Sequence, residues 1–460
     1  MEEELVLKNE NDKVPEENKM GVMPVKKLIV SMSLPMMVSM LVQALYNIVD
    51  SVFVSRISEE ALTAVTLAFP MQNIMFAVAS GTAVGINALL SRSLGEKNFD
   101  KADEAANTGI LLEFFSYLLF LIVGLTLAKP FIISQTDNVT IQEYGITYTS
   151  ICCCVSLGVF MQMTFERLLQ STGRTFHSMI SQITGAVINM IFDPILIFGY
   201  FGFPKMGIAG AAIATVFGQI TASCLGVYMN VKFNKDIRLS FKRILKPKAE
   251  VVKAIYAVGV PSILMISIGS IMTYSMNKIL GKFSDTATAV FGSYFKLQSF
   301  FFMPVFGVNN GVIPILAYNL GAGKKDRINE SLKFALKLVI CIMTVGTIVF
   351  ELIPALLLRV FDASDNMLEI GVPALRIIAI HFPIAACSIV LGSVFQAFSQ
   401  SIYSLIVSIC RQLLVLIPVA WVLSLTGNVN NVWWSFIIAE VVSFTFTLIF
   451  FRKVNRELPI

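Results

Sequence analysis

The sequence is poor in charge. Only 14% of its 460 residues are Asp, Glu, Lys or Arg, whereas a soluble domain carries about 25%. Histidine and tryptophan are scarce, at two and three residues. There is no HExxH, no metal-spaced pair of histidines and no soluble catalytic domain. An intramembrane enzyme needs a nucleophile with a base, or a metal cluster, so an enzyme is not expected. Seven cysteines, at 152, 153, 154, 224, 341, 387 and 410, all fall in apolar runs. Three adjacent cysteines suit neither a disulfide framework nor a zinc site, and they read as small apolar fillers. Short segments of alternating polarity are also missing, which excludes a transmembrane β-barrel.

What the chain has instead is apolar length. Hydrophobic residues make up 56% of it, and the mean hydropathy is +0.75. Runs near or beyond the roughly 18 residues that mark a spanning helix recur throughout. This predicts an all-α integral membrane protein. Twelve transmembrane helices are expected at 28–53, 61–90, 107–129, 143–166, 177–200, 207–231, 254–280, 287–316, 332–355, 368–392, 402–424 and 432–451. Residues 1–27 are polar and acidic and lack the basic start and apolar core of a signal peptide. They read as a disordered cytoplasmic tail. Lys and Arg concentrate on one side of this layout, with six on the other: Arg56, Lys129, Lys205, Lys278, Lys282 and Arg359. That bias puts both termini in the cytoplasm and the chain, as a multi-pass protein, in the cell (inner) membrane. The segment 231–253 holds eight of the basic residues and reads as a topology anchor and linker.

Shifted by 226 residues, the sequence matches itself. Pro35 falls on Pro261, Gln72 on Gln298, Gly81 on Gly307, Gly85 on Gly311, Gly95 on Gly321 and Gln170 on Gln396. Such coincidence in one register marks an internal repeat. The expected domains are a lobe at 28–230, the linker 231–253 and a second lobe at 254–455. Six spans each give both lobes the same orientation, the pattern of transporters with a cleft between two pseudo-symmetric bundles. Pro35 and Pro261 are candidate bending points within their helices.

The first span holds one acid, Asp50, with no other charge between Lys27 and Arg56. An acid there costs roughly 2.5–3.5 kcal/mol on insertion scales and usually faces a cavity or a partner. Gln43, Tyr46, Asn47 and Asp50 recur at helical spacing and form a polar stripe expected to face the bundle interior. The fifth span carries Asn189 and Asp193, four apart and on one face, and the sixth carries Thr215 at similar depth. Two buried carboxylates need a proton or a cation to coexist. A coupling site at Asp50, Asp193, Asn189 and Thr215 is therefore expected, with Na+ at Asp50, Asp193 and Asn189 as one form. No other cofactor is expected. The second lobe has Met276, Val415 and Val419 at the matching positions. There Lys296 and Glu440 reach similar depth and are expected to pair; His381 reads as structural. Glu113, near the inner face, is expected to reach water.

Several stretches together resemble the MATE (multidrug and toxic compound extrusion) transporters: LPMMVSMLVQALYNIVDSVFVSRI, SRSLGEKNFDKADEA, LLQSTGRT, INMIFDPILIFG, GIAGAAIATVFGQ and YNLGAGKKDR. The resemblance covers about residues 25–455. It implies the fold of the wider MOP superfamily and export of cationic or amphipathic small molecules in exchange for sodium ions or protons. It assigns the first-lobe site to Asp50, Tyr46, Asn189, Asp193 and Thr215. It also adds a tyrosine from the fourth helix, Tyr148 with Tyr144 in reserve. The NorM-type branch carries a glutamate in its seventh helix; Pro261 to Met276 holds no acid here, which favours the branch similar to DinF and MepA. The expected function is drug antiport by a monomer, with Gln43, Tyr46, Asn47 and Tyr148 lining the cavity. Lipid and small molecules, not nucleic acid, are the expected partners. The rival is a lipid-linked oligosaccharide flippase of the same superfamily, for which Arg376 and Arg411 would hold pyrophosphate.

Overall fold

The computed structural model describes residues 17–361 and 363–457. Its first half consists of α1 (Val25–Ser55), α2 (Glu59–Gly95), α3 (Phe99–Thr126), α4 (Val139–Cys154), α5 (Leu157–Ser171), α6 (Thr175–Phe198) and α7 (Ile208–Phe233). The second consists of α8 (Ala249–Leu280), α9 (Asp285–Gly321), α10 (Lys325–Leu352), α11 (Asp365–Ala379), α12 (Phe382–Ala397), α13 (Ser401–Ser424) and α14 (Val429–Glu457). Among the described residues there is no β-strand. Ten helices are long and apolar enough to span a membrane, or twelve if each bent pair is one span. The bent pairs are α4 with α5, at 45°, and α11 with α12, at 47°.

Sequence patterning predicts unbroken spans at 143–166 and 368–392, and the structure breaks both. Pro383 lies at the start of α12. It has no N–H to bond back to the preceding turn, so α11 ends before it. At α4 the break falls at Val155, which leaves helical geometry with ψ 24°. Hydropathy is blind to such breaks because the residues around them are apolar. α2 and α9, at 37 residues each, are about 55 Å long and outrun a hydrocarbon core of about 30 Å.

The repeat recurs in the helix bounds. α2 spans 59–95 and α9 285–321; α3 spans 99–126 and α10 325–352; α6 spans 175–198 and α13 401–424. Caps repeat as well. The Ser58 side chain accepts from Ala61 N at 3.1 Å, and the Ser284 side chain from Ala287 N at 3.0 Å. Acids follow each serine, Glu59 and Glu60 in one case and Asp285 in the other, where they favour the helix start. The halves differ at α13, whose residues Cys410–Leu416 form a π-helical turn.

The halves meet through glycines. A Cβ on Gly95 would lie 1.9 Å from Tyr318 O, and one on Gly321 would lie 2.2 Å from Arg92 O. Tyr318 is Arg92 shifted by 226, so α2 and α9 cross in a two-fold arrangement. Likewise Gly81 packs on Ile263 and Gly307 on Met37, again equivalent positions. In lipid no hydrophobic effect drives helices together, and small residues that let backbones touch do that work. Arg167 adds a polar bond across the seam, donating to Asn310 Oδ1 at 3.1 Å. Gly95 and Gly321 stand at the ends of their helices that lie towards the chain termini. At the opposite end Val54, Ala61, Ile197 and Ile208 form a hydrophobic cluster of the first half alone.

Two expectations about the polar segments need correction. Of the tail expected at 1–27, residues 1–16 lie outside the described residues, but the rest is tied down. A short helix, Lys19–Val22, precedes α1, and Met20 is fully buried. Asn18 donates to Thr172 O at 2.9 Å in the first half. From the second half, Arg327 donates to Met20 O at 3.1 Å and Met23 O at 2.7 Å, and Asn319 to Met20 O at 3.1 Å. These bonds use backbone carbonyls that any sequence offers, so composition does not reveal them. The expected linker 231–253 is shorter, between Phe233 and Ala249. It is strapped to the start of α3. Arg238 N donates to Asp103 at 2.6 Å, Ser240 N donates to Asn107 at 2.8 Å, and Arg243 pairs with Asp103 at 3.1 Å. Burial lifts the Asp236 carboxyl above its ordinary range, although Arg174 sits 3.0 Å away and opposes the shift.

Candidate functional site, an oxygen-lined chamber in the first half

α1, α6 and α7 pack together and bring four of the predicted residues to one place. Asp50 of α1 is 9% exposed and Asp193 of α6 is 0% exposed. The two carboxyl groups are neighbours. Asn189, one turn before Asp193, donates from Nδ2 to Thr215 Oγ1 at 3.2 Å. Thr215 in turn donates to Ala211 O of its own helix at 3.0 Å. Close packing makes the meeting possible. Gly218 of α7 sits against Gly185 O and the Asn189 side chain of α6.

The chamber is rich in acceptors. Asp50 Oδ1, both oxygens of Asp193 and Asn189 Oδ1 are buried without a hydrogen-bond partner among the described residues. A buried polar atom left unpaired calls for an explanation. Two facing carboxylates with no cation beside them repel, and a proton or a small cation between them removes the repulsion. No group of three or more His, Cys, Asp or Glu that could hold a metal occurs among the described residues. Hard cations take neutral amide and hydroxyl oxygens alongside carboxylates.

Two tyrosines close the chamber. The Tyr46 hydroxyl lies within reach of Thr215 and beside both acids. Tyr148, 3% exposed, adjoins Asp50, Tyr46, Cys152 and Gln72. Tyr148 and Tyr144 belong to one hydrophobic cluster, Tyr148 in its buried centre and Tyr144 packed against it. Below the acids the chamber opens into a pocket lined by Gln43, Tyr46, Gln162, Gln182, Asn189, Thr215 and Gln219.

Some expectations fail. Asn47 is exposed, and neither it nor Tyr148 is among the residues lining this pocket. Asn47 lies at the edge of the stripe, a full 100° step from Tyr46. Glu113 does not reach water: it is 0% exposed and neither oxygen has a partner among the described residues, because α3 is covered there by its neighbours. Glu440 pairs not with Lys296 but with Arg411, at 3.5 Å; Lys296 lies over the Phe361 ring at 5.8 Å. Cys152, Gln72, Gln162, Gln182 and Gln219 were missed. Spacing could have found two of them, since Gln219 follows Thr215 by four residues and Gln182 precedes Asn189 by seven.

The MatE family model matches residues 35–195 and again 261–422, starting points that differ by 226. A protein of Shewanella oneidensis described as a FAD transporter is 25% identical over 397 residues, 86% of this chain and 88% of that one. The multidrug export protein MepA of Staphylococcus haemolyticus is 25% identical over 434 residues, 94% of each chain. A solved structure of a multidrug resistance MATE transporter of the MOP superfamily, in an outward-facing conformation, superposes with a TM-score of 0.91 at 23% identity. It covers 97% of this chain and 99% of that one. Two matches to one model, spanning most of the chain, identify it as a member of the MatE family of membrane transporters.

Proposed function

We propose that this protein exports small, flat, cationic or amphipathic molecules, taking up a proton or a sodium ion at Asp50 and Asp193 in return. The observation that carries the proposal is the set of buried oxygens on Asp50, Asp193 and Asn189 that lack donors. Neutralising them makes burial of the chamber cheap, since an unpaired charge in low dielectric is costly. An empty, charged chamber favours the open arrangement, and a filled one permits closure. The two halves then rock about the glycine crossings, with Pro35 inside α1 letting that helix bend. In this reading the end bearing the termini faces the cytoplasm, as the distribution of Lys and Arg suggests. The names of the relatives support drugs as cargo, and one names a flavin dinucleotide.

The test is ethidium efflux from cells or everted vesicles under an imposed proton or sodium gradient. Asp50→Asn and Asp193→Asn are expected to lower gradient-driven efflux at least tenfold, each without loss of protein from the membrane. Efflux that stays at wild-type level in Asp50→Asn would reject the coupling role. Whichever gradient alone sustains efflux identifies the ion.

A further inference from the structure

The second half holds a pocket of different character. Tyr294, Phe295, Phe302 and Phe436 wall it, and Arg411 and Glu440 stand among them. The cavity measures about 110 Å³ and is open on one side. Glu440 Oε1 accepts from Ser388 Oγ at 2.8 Å, and its Oε2 lies 3.5 Å from Arg411 Nη1. The Glu440 side chain is 4% exposed and that of Arg411 32%. The carboxylate therefore sits behind and the guanidinium in front. At that distance the pair is a single loose contact, and most of the five N–H donors of the guanidinium are left for another partner.

The backbone is specialised at the same place. The π-helical turn Cys410–Leu416 contains both Arg411 and Gln412, and both line the pocket. The equivalent stretch of α6 is an ordinary α-helix. Shifted by 226, Arg411 and Gln412 stand where Gly185 and Ala186 line the chamber pocket of the first half. A π-bulge re-aims side chains and is frequent at functional sites. The repeat is thus broken in opposite senses: acids without a cation in one half, and in the other a cation at the mouth with its counter-ion buried behind it.

We propose that this pocket binds the acidic end of flat aromatic substrates, a carboxylate or phosphate resting on Arg411 and the ring lying among Tyr294, Phe302 and Phe436. It deepens the transporter reading and rests on it. A free cation approaching from the mouth meets Arg411 first and is repelled. An anion gains charge-assisted bonds from a planar donor group made for them, and aromatic walls hold a ring by offset or edge-on stacking. The two halves then sort the two charges that a zwitterionic molecule carries.

The test is binding to the purified full-length protein in neutral detergent, read by quenching of flavin fluorescence. Riboflavin and flavin mononucleotide share a ring system and differ by one phosphate. The wild type is expected to bind the mononucleotide at least tenfold more tightly, and Arg411→Gln to abolish that preference. Arg411→Gln leaves Glu440 unpaired, which endangers folding, so the double variant Arg411→Gln with Glu440→Gln is measured beside it and should lose the preference too. Equal affinities in the wild type, or a preference that survives in the double variant, would overturn the proposal. So would displacement of the mononucleotide, but not of riboflavin, by phosphatidylglycerol and not phosphatidylcholine, which would assign the pocket to a lipid headgroup. Binding needs no gradient, so the result stands apart from whether Asp50 couples export.

Discussion

Glu113 shows how burial and function part company at the level of single residues. Like Asp193 it is a membrane carboxyl with no partner among the described residues, but the titratable group beside it is a tyrosine, Tyr256 of α8, and not an acid. No second acid, amide and hydroxyl gather round it as they do round Asp193. A lone buried charge is costly and a neutral group of the same shape much less so. Glu113→Gln is therefore expected to hold or raise the thermal midpoint of the detergent-solubilised protein. Glu113→Lys should lower it by several degrees. A clear drop with glutamine would show that the charged form is used. The two buried acids were legible because a 3.6 period places Gln43, Tyr46 and Asp50 on one side of α1, and Asn189 with Asp193 on one side of α6. Asn47 obeys nearly the same spacing but is exposed. Of the pocket glutamines only Gln43 was read; Gln182 and Gln219 stand in helical register with Asn189 and Thr215 but carry no charge to draw attention to them.

Among elements, the long helices were easy to read and their interruptions were not. A 226-residue shift found from scattered Pro, Gln and Gly positions reappears as matching bounds for α2 and α9 and for α3 and α10. The glycines in that shift had no evident role in the sequence, and the structure supplies one: they let α2 and α9 touch backbone to backbone. Gly95→Leu is expected to destabilise the fold by about 1–3 kcal/mol, the usual cost of overpacking, because a Cβ there would overlap Tyr318 O. Thermal unfolding in detergent measures it; an unchanged midpoint would mean that the crossing is looser than drawn. The bend at Val155 and the π turn of α13 escaped because both lie within stretches that stay apolar on average, Arg411 and Gln412 included. Backbone hydrogen bonding differs there while hydropathy does not.

For the whole molecule, the decisive asymmetry is between its two ends. Backbone contacts join the halves near Gly95 and Gly321, while the cluster around Ala61 and Ile208 belongs to the first half alone. Asn73 of α2 still reaches Ser270 of α8, at 2.8 Å. In a background with the exposed Cys224 and Cys341 replaced by serine, the pair Asn73→Cys and Ser270→Cys is expected to form a disulfide in the resting protein. It should stop ethidium efflux until reductant is added. Failure to cross-link would place the halves further apart. Full efflux with the bond intact would show that this level stays shut through the cycle. Such a prediction lies beyond sequence, since either closure of the same two bundles satisfies every hydropathic period.

The residues just before the first span lie across the join as a clasp, with Asn18 fastened to one half and Met20 and Met23 to the other. Parting the halves on that side has to undo it. A fusion partner or affinity tag placed shortly ahead of residue 17 would tug on the working parts of the machine, so the handle for purification belongs at the other terminus.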